Sequence, residues 1–137
     1  MDDALRQRLI DAARAVRQHA YCPYSHFAVG AVLLDDAGRL HAGVNVENAS
    51  YPVGVCAERA ALGVAVSAGA RRFTALALVT SASQAVAPCG MCRQALAEFA
   101  PDLLLILAPP EGPWIERRLS DVLPFQFQPD HLVPKAI

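Results

Sequence analysis

Three cysteines in two short segments constrain this chain more than any other feature. Cys56-Ala57-Glu58-Arg59 and Pro88-Cys89-Gly90-Met91-Cys92 stand 32 residues apart, counted between Cys56 and Cys89. Each segment is expected at a helix N-terminus: Pro52 and Gly54 precede the first, and Pro88 suits the first turn of the second. Cys89 and Cys92 are three apart, so on a helix they share a face and can grip one ion. Helix N-termini offer N–H groups and a positive dipole end, which favour thiolate over thiol. If the two helices converge, three thiolates can hold Zn²⁺ tetrahedrally with one position open. That is the layout of a catalytic zinc site, whereas structural zinc usually takes four protein ligands.

The open position would hold a water made acidic by the metal, and Glu58, which is not a ligand, is placed to shuttle its protons. Three thiolates leave the zinc cluster with a formal charge of −1, and Arg59 can offset it through hydrogen bonds to the sulfurs. Two other chemistries compete for these cysteines. A structural zinc module needs a fourth ligand, for which Cys22 is the only remaining cysteine. A thioredoxin-like pair of Cys89 and Cys92 leaves Cys56 and Glu58 without purpose.

The 137 residues are read as a single domain over 1–137. Apolar residues make up 54% and charged residues 18%, which argues for a packed core. The longest uncharged window, 73–92, contains Thr74, Thr80, Ser81, Ser83, Gln84 and Pro88, a poor membrane span. The N-terminus carries Asp2, Asp3 and further charges through Arg17, unlike a signal peptide, so the expected location is cytoplasmic, where thiols stay reduced. A net charge of −1 offers nothing global to a nucleic acid or an anionic membrane, and neither is expected as a partner.

Periodicity predicts a helix over 3–19, broken at Cys22-Pro23, then strands over 27–34 and 39–46 joined by a turn at 35–38. A helix over 56–68 ends at Gly69, and a strand over 73–80 is apolar enough to be buried on both faces. A helix over 88–99, a strand over 103–107, a short strand over 114–116 and a one-turn helix capped by Ser120 and ending at Pro124 complete the pattern. A hairpin followed by strand–helix alternation indicates an α/β sandwich with a mixed sheet.

Pro-Cys-x-x-Cys downstream of a ligand-x-Glu segment is the signature of the zinc deaminases in its three-cysteine form. The wider sequence resembles the small homotetrameric cytidine deaminases. The resemblance covers residues 21–30 (Tyr21 to Gly30), 45–51 (Asn45 to Tyr51), 56–62 (Cys56 to Leu62) and 88–94 (Pro88 to Gln94), and extends to Val122-Leu123-Pro124. It implies a three-layer α/β/α sandwich with a mixed five-stranded sheet, and one zinc per chain held by Cys56, Cys89 and Cys92. It also implies hydrolysis of cytidine and 2′-deoxycytidine to uridine and 2′-deoxyuridine in pyrimidine salvage, with ammonia released. Zinc-bound hydroxide would attack C4 while Glu58 carries protons to N3 and to the leaving amine. A deaminase of a modified or antibiotic cytosine nucleoside is the alternative within the same chemistry.

The same resemblance implies that Phe27 stands beside the pyrimidine and that the N–H groups of Ala57 and Cys89 hold the base. Asn45 and Glu47 would contact the ribose; read from the residues alone, they could instead cap loop backbone. Ala49 and Tyr51 would reach a neighbouring subunit's site toward the sugar's 5′ side. A C-terminal phenylalanine would reach the base there, Phe127 being favoured by spacing over Phe125. The expected assembly is therefore a homotetramer with shared sites.

Overall fold

The computed structural model describes residues 1–132, as helix α1 (Asp3–Arg17), strands β1 (Val29–Asp35) and β2 (Leu40–Val44), helix α2 (Ala57–Ser67), strand β3 (Phe73–Thr80), helix α3 (Gly90–Ala97), strands β4 (Leu104–Ala108) and β5 (Ile115–Arg118), and the one-turn helices α4 (Leu119–Val122) and α5 (Pro129–Leu132). The strands form one sheet in the order β2-β1-β3-β4-β5. β1 runs antiparallel to both β2 and β3, β3 and β4 are parallel, and β5 returns antiparallel, so the sheet is mixed as expected.

Alternation along the strands sorts side chains between two helical layers. Val32, Ala75, Ala77, Val79 and Ile106 face Leu9, Ile10 and Ala13 of α1. Ala31, Leu33, Leu76, Leu78, Leu105 and Leu107 face Ala57, Ala61 and Ala65 of α2 and Leu96 of α3. The result is the three-layer sandwich. β3 is buried at every position but Thr74, which accounts for its near-continuous apolar sequence.

Two glycines bring helix backbone onto sheet backbone. A Cβ at Gly43 would lie 2.3 Å from the Ala61 nitrogen and 2.7 Å from the Ala57 carbonyl oxygen. A Cβ at Gly30 would lie 2.2 Å from the Ala13 carbonyl oxygen. Only a residue without a side chain permits either approach, and the first fixes the height at which α2 begins.

Several boundaries differ from those expected, each for a local reason. Residues 27 and 28 stand outside β1 because the Ser25 and Ser81 hydroxyls take their N–H groups, and 45 and 46 stand outside β2 because their backbone pairs instead with Tyr21 and Val55. Cys56 and Cys89 are N-caps with extended backbones, so α3 starts at Gly90 and Pro88 precedes the helix instead of opening it. Ser120 does not cap the one-turn helix, which begins at Leu119. Its hydroxyl hydrogen-bonds Asp102 Oδ1 at 2.6 Å, and Asp121 reaches back to the Arg118 N–H at 3.4 Å. Among the described residues no helix is long and apolar enough to cross a membrane.

At the end of the β1–β2 hairpin, the fully buried Asp35 carboxylate meets His41 Nε2 at 2.9 Å and Arg39 Nε at 2.8 Å. It also accepts the Ala37 and Arg39 N–H groups. The His41 hydrogen bond, helped by those from Arg39 and Ala37 and opposed by burial, holds the carboxyl far below the usual carboxylate range. A depressed folded-state pKa contributes stability that is present above the unfolded value of about 3.9 and is lost as pH falls toward the folded one. Asp35→Asn is therefore expected to lower the thermal midpoint by several degrees at pH 7. The gap to the parent should shrink steadily below about pH 4, as followed by thermal melts across pH.

Candidate active site and metal centre

The first turns of α2 and α3 meet at one end of the sheet, and their caps bring the thiols together. The Sγ atoms of Cys56, Cys89 and Cys92 all lie within 4.8 Å of one another, with Cys56 and Cys89 3.9 Å apart. Zn–S bonds of about 2.3 Å in a tetrahedron place sulfurs roughly 3.8 Å apart, so the donor set fits a zinc ion. Cys92 is fully buried beneath the more exposed Cys56 and Cys89.

Burial, reinforced by the charge of Glu58, pushes the Cys92 thiol far above the ordinary thiol range. At Cys89 burial pushes upward too, but hydrogen bonding from the Cys92 N–H and the neighbouring thiols outweighs it, and the thiol lies below its ordinary value. Arg59 adds fixed positive charge: one terminal guanidinium nitrogen donates to Cys56 Sγ at 3.7 Å. Hydrogen bonds to Cys56 and then Cys92 raise its own pKa further. Its Nε is buried and has no hydrogen-bond partner among the described residues, the guanidinium being turned toward sulfur.

Glu58, in the first turn of α2, is 5% exposed. Burial raises its carboxyl above the usual range, partly offset by hydrogen bonding from its own backbone N–H and from Cys92 and by the charge of Arg59. A carboxyl shifted in this direction is suited to both accepting and returning a proton near neutrality.

Glu58 opens onto a cavity of about 350 Å³ that Cys56, Cys89 and Ala57 share with Phe27, Asn45 and Glu47. That volume lies at the small end of ligand pockets. Thus two of the three sequence-predicted ligands, the acid and four of the predicted contacts converge on one space, with Cys92 buried behind it. Ala49, Tyr51 and Phe127 do not line it. Tyr51 is 76% exposed beside an adjoining groove with Tyr24 and Asn48. Ala49 is exposed, and Phe127 borders a separate cavity with Phe125 near Pro101.

Asn45 and Glu47 hold loop backbone as well as facing the cavity. Asn45 Oδ1 accepts the Val29 N–H at 2.9 Å, and its Nδ2 donates to the Phe27 carbonyl at 2.7 Å. Glu47 Oε1 accepts from the Tyr24 and Ser25 N–H groups at 3.0 and 3.1 Å, and Oε2 accepts the Ser25 hydroxyl. The Ser25 hydroxyl is the chief reason the Glu47 carboxyl lies below its usual range; the two N–H bonds add to it and burial opposes. A carboxylate has about four acceptor positions, so three bonds leave about one for a ligand hydroxyl.

Sequence reasoning did not single out Ser81, Arg17 or the clamp made by Ser25. Ser81 Oγ accepts the Ala28 N–H at 2.9 Å and an Arg17 guanidinium N–H at 3.1 Å, across 53 and 64 residues of chain. No local pattern announces such contacts.

Residues 4–108 match the family described as the cytidine and deoxycytidylate deaminase zinc-binding region. A cytidine deaminase of Halalkalibacterium halodurans is 46% identical over 123 residues, covering 89% of this chain and 93% of the relative. The crystal structure of a cytidine deaminase from Burkholderia pseudomallei superimposes with a TM-score of 0.86 at 43% identity, covering 93% of this chain and all of that one. A blasticidin-S deaminase of Bacillus cereus is more distant, 30% identical over 107 residues, or 72% of this chain and 76% of the relative.

Cys92→Ser should bring the bound zinc from a single ion per chain to far below that, since oxygen replaces the buried sulfur donor. Metal analysis of parent and variant purified side by side checks this.

Proposed function

The chain belongs to the cytidine and deoxycytidylate deaminase family, and from that premise we propose that it hydrolyses cytidine and 2′-deoxycytidine to the uracil nucleosides, releasing ammonia. The observation that carries this reading is a buried carboxyl, Glu58, facing the same small cavity as two sulfurs of a three-thiol cluster. Zinc would be held by Cys56, Cys89 and Cys92 and would supply Lewis-acid chemistry, lowering the pKa of a bound water toward about 7.

The protein's own groups do the rest. Glu58 takes the proton released by the attacking water, delivers it to N3 of the pyrimidine, and then carries a second proton to the departing amine. Ala57 is the first residue of α2 and Cys89 the cap of α3, so their N–H groups lack intrahelical acceptors and can hold the base. Phe27 packs against the ring. Asn45 and Glu47 have enough remaining hydrogen-bonding capacity to receive a sugar hydroxyl. Arg59 offsets the negative charge of the thiolates, keeping the metal a stronger Lewis acid.

The catalytic unit of this reading is the whole chain, 1–137, working in the cytoplasm in pyrimidine salvage, where its free cysteines stay reduced. Ala49, Tyr51 and Phe127 serve a neighbouring copy in a homotetramer. Their exposure here and the apolar surface of Tyr21, Tyr24, Val46, Val53 and Met91 support that assembly. Phe125 is still more exposed, but Phe127 is tied to α3 by Gln94, whose Nε2 donates to the Phe127 carbonyl at 3.0 Å.

The direct test is ultraviolet monitoring of cytidine loss with zinc measured on the same sample. Cytidine and deoxycytidine should be consumed while free cytosine reacts poorly, and faster turnover of an antibiotic cytosine nucleoside would favour the alternative. Glu58→Gln should retain zinc but lower kcat by orders of magnitude, and near-normal turnover in a zinc-replete variant would end the assignment. Arg59→Ala is expected to lower kcat by about tenfold with little change in thermal midpoint or zinc content. Parallel losses in all three would show a structural role instead.

A further inference from the structure

The wall of the cavity that carries Phe27 is not part of the sheet. Residues 24–28 have no ladder partner among the described residues, yet each N–H from 24 to 29 is satisfied. Glu47 takes those of Tyr24 and Ser25, and the Cys22 carbonyl takes that of His26. Ser25 Oγ takes that of Phe27, Ser81 Oγ that of Ala28, and Asn45 that of Val29. Five of these six hydrogen bonds end on side chains. His26 also sits at φ +57°, a left-handed conformation that a non-glycine residue holds only when its surroundings impose it.

Ser81 occupies a particular place in this scheme. β1 and β3 pair with Val29 opposite Thr80, so continued pairing would set Ala28 opposite Ser81. Both strands stop there, and the Ser81 hydroxyl supplies the missing rung, accepting from the Ala28 N–H and donating to the Ala28 carbonyl at 3.3 Å. A hydroxyl has one donor and two acceptor positions. The Arg17 guanidinium takes the second acceptor position at 3.1 Å, which leaves the hydroxyl hydrogen directed at the Ala28 carbonyl. Gly30, by admitting the backbone of α1, brings Arg17 to this edge of the sheet.

We propose that Ser81, oriented by Arg17, is a positioning residue for the deamination. It spaces β1 from β3 by the length of a side chain and so fixes Ala28, and with it Phe27, at the distance from Glu58 that a pyrimidine needs. This rests on the reading of Phe27 as the base's wall. Ser81 touches no substrate. It acts through one peptide, and a misplaced wall weakens nucleoside binding more than proton transfer at Glu58.

The experiment compares the parent, Ser81→Ala, Ser81→Thr and Arg17→Leu by steady-state kinetics with cytidine and by hydrogen exchange of the 24–29 amides. Ser81→Ala is expected to raise KM about tenfold, the effect of one lost hydrogen bond, with kcat changed less than about twofold and zinc content unchanged. Exchange should quicken at Ala28 and Phe27 only. Ser81→Thr, which keeps the hydroxyl, should restore both readouts, and Arg17→Leu should fall between. Unchanged exchange in Ser81→Ala would overturn the proposal, because the backbone would then have closed the rung directly. Faster exchange with KM unaltered, or an equal fall of kcat and zinc content, would overturn it as well. A parent protein that binds zinc but leaves cytidine intact would instead overturn the deaminase reading, and the exchange data would still decide whether Ser81 holds the loop.

Discussion

Bringing three thiols within 4.8 Å of one another is the demand that the rest of this structure answers. Burying a single charge costs several kcal/mol even after the protein relaxes, so three thiolates side by side need positive charge from every direction. It comes from two helix N-termini, from Arg59, and from the cation for which the sulfur spacing is suited. A parallel pair, β3 and β4, with α3 as the connection between them delivers one helix end, and the hairpin β1–β2 underlies the other. Glu58 belongs to the same balance. It is buried beside the sulfurs and its carboxyl is shifted upward mainly by that burial, so its ionised form lowers stability, which the proposed proton transfer would turn to use.

How much of this could be read from the chain depends on how local each interaction is. Periodicities within elements and the apolar run of β3 lead to an α/β sandwich with a mixed sheet, the resemblance adds its three layers and five strands, and both agree with the structure. The convergence of Cys56, Cys89, Cys92 and Glu58 was legible because helix geometry ties Cys89 to Cys92, and Cys56 to Glu58 and Arg59, within a turn. The ends of β1 and β2 were misjudged for the opposite reason. Phe27, Ala28, Asn45 and Val46 are apolar or strand-compatible enough to continue the strands, and only the contacts of Ser25 and Ser81 with the first two and of the Tyr21 and Val55 backbones with the last two show why they do not. The dual engagement of Asn45 and Glu47, toward the cavity and toward the loop, was likewise beyond what spacing alone can distinguish.

The division of labour around the cavity follows the same line. The metal-facing side is built from helix caps, where a shift of one residue would move a ligand. The opposite side is an irregular loop whose conformation is dictated by side chains from the residue after β3, from α1 and from the segment after β2. Chemistry is thus placed on rigid elements, while the shape of the pocket is set by exchangeable hydrogen bonds.

Gly30 and Gly43 lie one residue out of register on paired strands, Gly30 opposite Val44 and Gly43 opposite Ala31, and they face opposite helical layers. The sheet is therefore pinched between two main chains at nearly the same point. Elsewhere in the sandwich, layer spacing depends on how large the intervening side chains are. Here it is set by backbone meeting backbone, with nothing in between to compress or enlarge. Changes of core side-chain volume farther along the strands can be absorbed by small tilts of α1 and α2 about this fulcrum, leaving the ends that carry Arg17 and Cys56 nearly where they were.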